Sequence, residues 1–257
     1  MTDFTLDAYR AYALAIRDRF GEGVLFRDLL GRPLPERFAA IRHDVDRKPE
    51  RALAMARIEK ELGLRSTYYF RIPYTFDREV IVEIADLGHE VGYHYENLSD
   101  TGGDPEKALK DFEEKLAILR TVADVTTISM HGRPLTSYDN RDLWRSPDQH
   151  RLLKERFGLL GEVYLDMDYT DVAYIGDTGR NWSSSRGNLR DHVDSQVAVD
   201  LANGDELLAY LQGSPHPRLV FQIHPERWTN DILGYGVQWA MDSGINMAKR
   251  AIGLLRS

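Results

Sequence analysis

The stretch Ile41-Arg42-His43-Asp44-Val45-Asp46-Arg47-Lys48-Pro49, IRHDVDRKP, packs an imidazole and two carboxylates into four positions. An apolar run, Phe38 to Ile41, leads into it. PERALAMARIEKELG (Pro49 to Gly63) follows. Proline in a first turn and glycine past a last turn are helix-boundary signals. The stretch therefore reads as a strand end, a short loop and a helix start, which is the front half of a βαβ unit. Like charges crowded together oppose folding unless something compensates them, so the cluster points to function.

The same alternation continues along the chain. STYYFRI (Ser66 to Ile72), HEVGYHYE (His89 to Glu96) and TTISMHG (Thr126 to Gly132) read as strands, as do GEVYLDMD (Gly161 to Asp168), VAYIGDTG (Val172 to Gly179) and RLVFQIHPE (Arg218 to Glu226). Helical patterns separate them: DREVIVEIADLG, RLLKERFG, GDELLAYLQ and, most clearly, DPEKALKDFEEKLAILRTVA. In the last, Asp104 caps, Pro105 opens, and Leu109, Phe112, Leu116 and Leu119 form one stripe. A closing helix places Met241, Ile245, Ala248, Ile252 and Leu255 on one face. Strands alternating with helices imply parallel pairing. Seven of them predict an α/β fold, a single distorted (β/α)7 TIM-like barrel. No Pro/Gly/Ser-rich linker divides the chain, so residues 1–257 read as one domain, with 1–37 as an N-terminal helical extension whose helix, TLDAYRAYALAIRDRF (Thr5 to Phe20), caps the barrel bottom or meets a second subunit. Ser183 to His192 reads as a loop.

Composition narrows the function. A 42% hydrophobic content supports a sizeable core, and a net charge of −8 gives no basic face for nucleic acid. With no cysteine, disulfides, thiolate nucleophiles and Cys-based zinc sites are excluded. No apolar run spans a membrane, and the first residues lack a secretory h-region. The expectation is a soluble, cytoplasmic protein.

Sites in parallel α/β folds form at the C-terminal ends of strands. Those ends carry His43, Asp44 and Asp46; Arg71; His94 and Glu96; His131 and Arg133; Asp166 and Asp168; Asp177 and Arg180; and His224, Glu226 and Arg227. Four of the eight histidines fall there, each closing a different apolar run. Convergent imidazoles and carboxylates suit a divalent transition metal, with zinc first and cobalt, nickel or iron as alternatives. His89, at the opposite end of its strand, reads as structural; His150, His192 and His216 read as surface residues. Asp166 and Asp168 either line the site or cap the following turn.

In order and strand placement, RHDVD, GHEVGYHYENL, MHGRP, GDTGRNW and IHPERW resemble the five motifs of the NodB-homology polysaccharide deacetylases, carbohydrate esterase family 4. The likeness runs from about Phe38 to Trp228 and is nearest an uncharacterised HDVD branch associated with surface-polysaccharide biosynthesis. It implies a NodB-type barrel and metal-dependent removal of an N-acetyl group from a carbohydrate. It implies Asp44 as general base, Asp46 and His94 as metal ligands, and His224 as the acid. It also implies Asp177 orienting His224 or holding its charge, Arg180 pairing with Asp44, and Trp182 and Trp228 available to stack on sugar, although each tryptophan taken alone reads first as surface or core packing. Four residues past His94 the family has its second histidine, whereas this chain has Leu98. The third ligand must come from elsewhere: His131 first, with Glu96 and His43 in reserve. Two other classes remain open. One is a DxD nucleotide-sugar glycosyltransferase using Asp44 and Asp46; the other is a deacetylase-like protein that only binds carbohydrate.

Overall fold

The computed structural model describes residues 2–133, 136–183 and 192–256, with backbone alone for 183 and 245–256. Pro134 of the third motif, most of the Ser183–His192 loop, and the Ile245, Ala248, Ile252 and Leu255 side chains lie outside the described residues.

Seven strands form one all-parallel sheet. They are β1 (Phe38–Val45), β2 (Thr67–Phe70), β3 (Glu90–Tyr95), β4 (Thr127–Met130), β5 (Gly161–Glu162), β6 (Ala173–Gly176) and β9 (Arg218–Ile223). A two-residue ribbon, β7 (Trp182–Ser183) with β8 (Asp200–Leu201), is separate. The sheet order β5-β4-β3-β2-β1-β9-β6 runs in sequence around a barrel left open between β5 and β6. The expected distorted (β/α)7 barrel is therefore observed, left open on one side.

Helices α1 (Leu6–Phe20), α3 (Pro49–Leu62), α4 (Arg78–Asp86), α6 (Pro105–Arg120), α7 (Pro147–Glu155), α8 (Gly204–Gly213) and α9 (Ile232–Arg256) join short turns α2 (Phe26–Leu29) and α5 (Asn97–Asp100). Asp104 caps α6 as its sequence predicts, accepting from the Glu106 and Lys107 amides. Phe112, Leu116 and Leu119 are buried, joined by Ala108, while Leu109 is half-buried.

Side-chain alternation along the strands divides the core in two. Outward residues (Ile41, Tyr68, Tyr93, Ile128, Ile175, Phe221) meet the helices in two apolar clusters. Inward residues are unusually polar: Arg42, Asp44, Thr67, Glu90, Thr127, Glu162 and Gln222 are all buried. Gly92 leaves room for the Tyr69 ring inside the barrel, since a Cβ there would lie 2.3 Å from a ring carbon. The Tyr69 hydroxyl pairs with Thr127 Oγ1 at 3.0 Å.

The N-terminal helix does not cap the barrel bottom. Helix α1 lies along the barrel side against α3 and α8, with Tyr9 and Tyr12 buried. The short α2 closes the bottom instead: Phe26, Leu29 and Leu30 pack on Phe38, Ala40 and Val220. A 15-residue amphipathic helix covers a barrel wall, whereas one turn bearing three large apolar groups suffices as a plug.

Candidate metal and proton-transfer site

Strand β1 ends at Val45, so alternation alone does not place Asp46. The chain tightens there, the Asp46 amide donating to the Asp44 carbonyl at 3.1 Å. Both carboxylates consequently meet the same imidazole: His94 Nε2 is 3.4 Å from Asp46 Oδ1 and 3.9 Å from Asp44 Oδ2. His94 faces inward from β3, and its Nδ1 donates to the Ser129 carbonyl at 2.9 Å. That bond holds the tautomer that presents a lone pair on Nε2.

His131 arrives from the end of β4, with Nε2 3.5 Å from Asp46 Oδ2. Its Nδ1 donates to Glu96 Oε2 at 2.9 Å. The other Glu96 oxygen is bound by Arg71, whose Nε donates at 2.8 Å. Glu96 therefore orients His131 rather than reaching a metal. Burial opposes its charge, but His131 and Arg71 outweigh this and hold its carboxyl down to about 2. Burial also opposes charge on His131, and Asp46 and Glu96 push its imidazole up to about 10. Despite burial, His131 and His94 hold Asp46 well below the carboxylate range.

Among the described residues no group of three His, Cys, Asp or Glu side chains stands at metal-binding geometry, since Asp46 turns one oxygen to each imidazole. The donor chemistry nevertheless fits a transition metal: two imidazoles with Nδ1 engaged elsewhere, one carboxylate, and a buried Asp46 Oδ1 with no hydrogen-bond partner. The other reserve ligand, His43, faces the helices. It stacks on Tyr68 at 4.2 Å and meets Glu59 Oε1 at 2.8 Å. Leu98 also faces away from the mouth, into the apolar cluster under α6.

Asp44 lies near the C-terminal end of β1, and its partners are not the expected ones. Arg42 Nε donates to its Oδ1 at 2.8 Å and Arg42 Nη2 to its Oδ2 at 2.7 Å. Gln222 Nε2 adds a third bond, at 2.7 Å to Oδ2. Burial raises the Asp44 carboxyl, yet Arg42 and His94 carry it down to about 2. The expected Arg180–Asp44 pair does not form. Arg180 follows Gly179 in a left-handed conformation (φ 55°) and turns toward α9, where it meets Asp242 at 3.2 Å and covers the Phe4 ring. Arg42 needs no such reach, because residues two apart on a strand share a face.

Across the mouth, His224 Nδ1 is 2.6 Å from Asp177 Oδ1. Asp177 Oδ2 accepts from the His224 amide at 3.0 Å and from Trp228 Nε1 at 2.9 Å. Burial and Arg227 oppose charge on His224, but Asp177 prevails and its pKa rises to about 9. Asp177 thus holds both the ring and the backbone amide of His224.

Other candidates take one of the readings the sequence left open. Strand β5 has two residues, so Asp166 and Asp168 leave the sheet and cap turns: Asp166 accepts from the Glu162 amide and Asp168 from Thr170. Trp182 and Trp228 are fully buried against Phe4, so neither stacks on sugar. An exposed aromatic among the described residues, Tyr74 (53% exposed), stands beside Arg71, whose Cζ is 4.5 Å from its ring. His89 is structural, held between the Ala56 carbonyl and Ser66.

No family model and no curated protein sequence matches the chain. Two solved structures share its general shape. A family 4 carbohydrate esterase from Bacillus anthracis is 13% identical, with a TM-score of 0.41 over 94% of this chain and 86% of that one. The catalytic domain of a peptidoglycan N-acetylglucosamine deacetylase from Eubacterium rectale is 16% identical, also at 0.41, over 84% and 88%. Likeness this weak carries no chemistry over to this chain. Among the described residues no helix is long and apolar enough to cross a membrane.

Proposed function

We propose that the protein is a metal-dependent hydrolase that removes an N-acetyl group from a sugar or polysaccharide precursor in surface-polysaccharide metabolism. One observation carries the reading: Asp46 stands between His94 and His131 at the mouth, and the Asp177-held His224 lies across from them. Asp46, His94 and His131 would hold a single divalent ion, zinc first. Bound there, it would supply Lewis acidity to an amide carbonyl and make water more acidic.

The chain's own groups supply the rest. Asp44, fixed by Arg42 and Gln222, keeps a negative charge beside His94 and takes the proton of the attacking water. His224 is an imidazolium at neutral pH and donates its proton to the leaving amine. Asp177 aims that proton by holding Nδ1. Tyr74 offers an open aromatic face to a sugar ring.

A second reading has its own support. Asp44 is almost completely buried and already accepts three hydrogen bonds, which suits a deacetylase-like protein that binds carbohydrate without cleaving it. The same engagement removes Asp44 from a DxD diphosphate site and disfavours the glycosyltransferase.

The test is acetate release from N-acetylated oligosaccharides and nucleotide-linked N-acetyl sugars, using protein loaded with zinc, cobalt, nickel or iron. Metal-dependent release, abolished by chelator and by His94→Ala, is the expected result. Sugar binding with no release under any metal would establish the second reading instead.

A further inference from the structure

Helix α9 (Ile232–Arg256) is inverted relative to an ordinary surface helix. Its inward face is polar. Gln238 and Asp242 are buried, Gln238 Nε2 donates to Asp242 Oδ1 at 3.0 Å, and Arg180 meets Asp242 at 3.2 Å. Its outward face is apolar. Ile232, Leu233, Val237, Trp239 and Met241 are all exposed, the first two by 85% and 80%. A surface helix normally turns its apolar stripe to the core, and a large exposed apolar patch marks an interaction surface. The helix rests chiefly on two short turns, Thr178–Arg180 and Pro225–Arg227, and nothing among the described residues covers the stripe.

Spacing, backbone and charge together select the occupant. Leu233, Val237, Ala240 and Gly244 stand four, three and four residues apart, and the sequence keeps alternating three and four through Met247, Ala251 and Leu254. That alternation is the seam of a coiled pair of helices. Gly236 and Gly244 have open space where a Cβ would stand. Glycine inside a helix weakens it, and packing within the chain gives nothing in return here. Small residues on an outward face let a second helix backbone come close. From Ile232 to Gly244 the one charged residue is Asp242, which is turned inward. Copies of a chain with net charge −8 repel each other, and an uncharged stripe lets two of them meet without opposing like charges. The outward half of this 25-residue helix, about 37 Å long and about 10–12 Å across, offers roughly 600–700 Å². A standard interface takes ~800 Å² from each partner. A lipid surface is disfavoured, because residues 232–244 contain no Lys or Arg.

We propose that α9 is a self-association surface, on which two copies of this chain pair their α9 helices about a two-fold axis with the small residues in contact. An isologous contact of this kind needs only one self-complementary patch. The pairing requires neither metal nor turnover and is independent of the hydrolase reading.

The experiment is sedimentation velocity of the full chain from micromolar to near-millimolar concentration, for wild type, Ala240→Glu and Gly244→Leu. Wild type should reach twice the 29.5 kDa of one chain. Ala240→Glu places a carboxylate in the seam and should raise the dimer dissociation constant at least about 100-fold, because an unpaired charge is costly to bury. Gly244→Leu favours the helix itself but holds the two backbones apart, and should raise that constant about tenfold. Where circular dichroism shows helix lost in Ala240→Glu, Gly244→Leu decides. A monomeric wild type, an unchanged dimer in a folded Ala240→Glu, or wild-type pairing in Gly244→Leu would overturn the inference. Vesicles of phosphatidylcholine and phosphatidylglycerol are the control: a monomer that floats with them and is released by Ala240→Glu would assign the stripe to a lipid surface instead.

Discussion

Arg42 grips Asp44 from two positions earlier on the same strand, with both carboxylate oxygens bound and both side chains buried. The guanidinium packs over the Tyr164 ring at 4.6 Å and donates to its hydroxyl at 2.8 Å. The pair is therefore part of the barrel filling as well as of the site. Arg42→Met would leave Asp44 as a buried, uncompensated charge and should cost about 3–5 kcal/mol. Arg42→Met with Asp44→Leu should recover most of that loss. Urea unfolding of the two variants checks this; equal destabilisation would show that packing, not charge, dominates.

Asp177 sets the alkaline limit of the proposed reaction. His224 must be protonated to donate, so activity falls as pH rises through its pKa. That pKa is pushed up to about 9 by Asp177, against burial and Arg227. Asp177→Asn removes the carboxylate while the opposing influences stay. The alkaline limb should move down to roughly 6.5 or below. A pH profile of acetate release reads the shift, and an unmoved limb would take His224 out of the acid role.

A second polar cluster lies outside the barrel wall. Glu59 is completely buried; its Oε2 accepts from Ser66 Oγ at 2.5 Å and Tyr68 at 2.6 Å, while Tyr9 and His43 bind Oε1. Burial raises its carboxyl, but His43, His89 and the Ser66 hydrogen bond bring it down to about 2. A carboxyl depressed by folding stabilises fully above its unfolded pKa and loses that contribution as pH falls through the folded one. Glu59 should therefore contribute on the order of 3 kcal/mol above about pH 4.5, declining toward pH 2. Glu59→Gln should be less stable at pH 7 and show a flatter acid limb in stability measured from pH 7 to 2.

Gly92 tests the polar interior. An alanine there would drive its methyl into the Tyr69 ring and toward the Thr127 carbonyl at 3.0 Å. Such overpacking costs about 1–3 kcal/mol. Gly92→Ala with Tyr69→Ala should be milder than the sum of the single variants, measured by denaturant midpoints. Additive losses would place the strain elsewhere.

Much of this molecule was legible in one dimension. Apolar runs alternating with capped helices dictate the parallel sheet, because a period of two and a period of 3.6 each leave a distinct trace. Strand ends identify the mouth, so His94, His131, Asp177 and His224 were all visible as candidates. Arg42 was missed as the partner of Asp44, although residues two apart on a strand share a face.

What local pattern determines, the sequence determined alone: element order, the helix caps and the set of polar groups delivered to one end of the barrel. Pairing was decided only by the tertiary structure. Arg180 turns away to Asp242, Leu98 joins the core, Trp182 and Trp228 are buried, and Asp166 caps a turn. His131 comes within 3.5 Å of Asp46, 85 positions earlier in the chain. The reason is physical: periodicity acts over a few residues, whereas a carboxylate's partner is whichever charge the closed fold brings within a few ångströms.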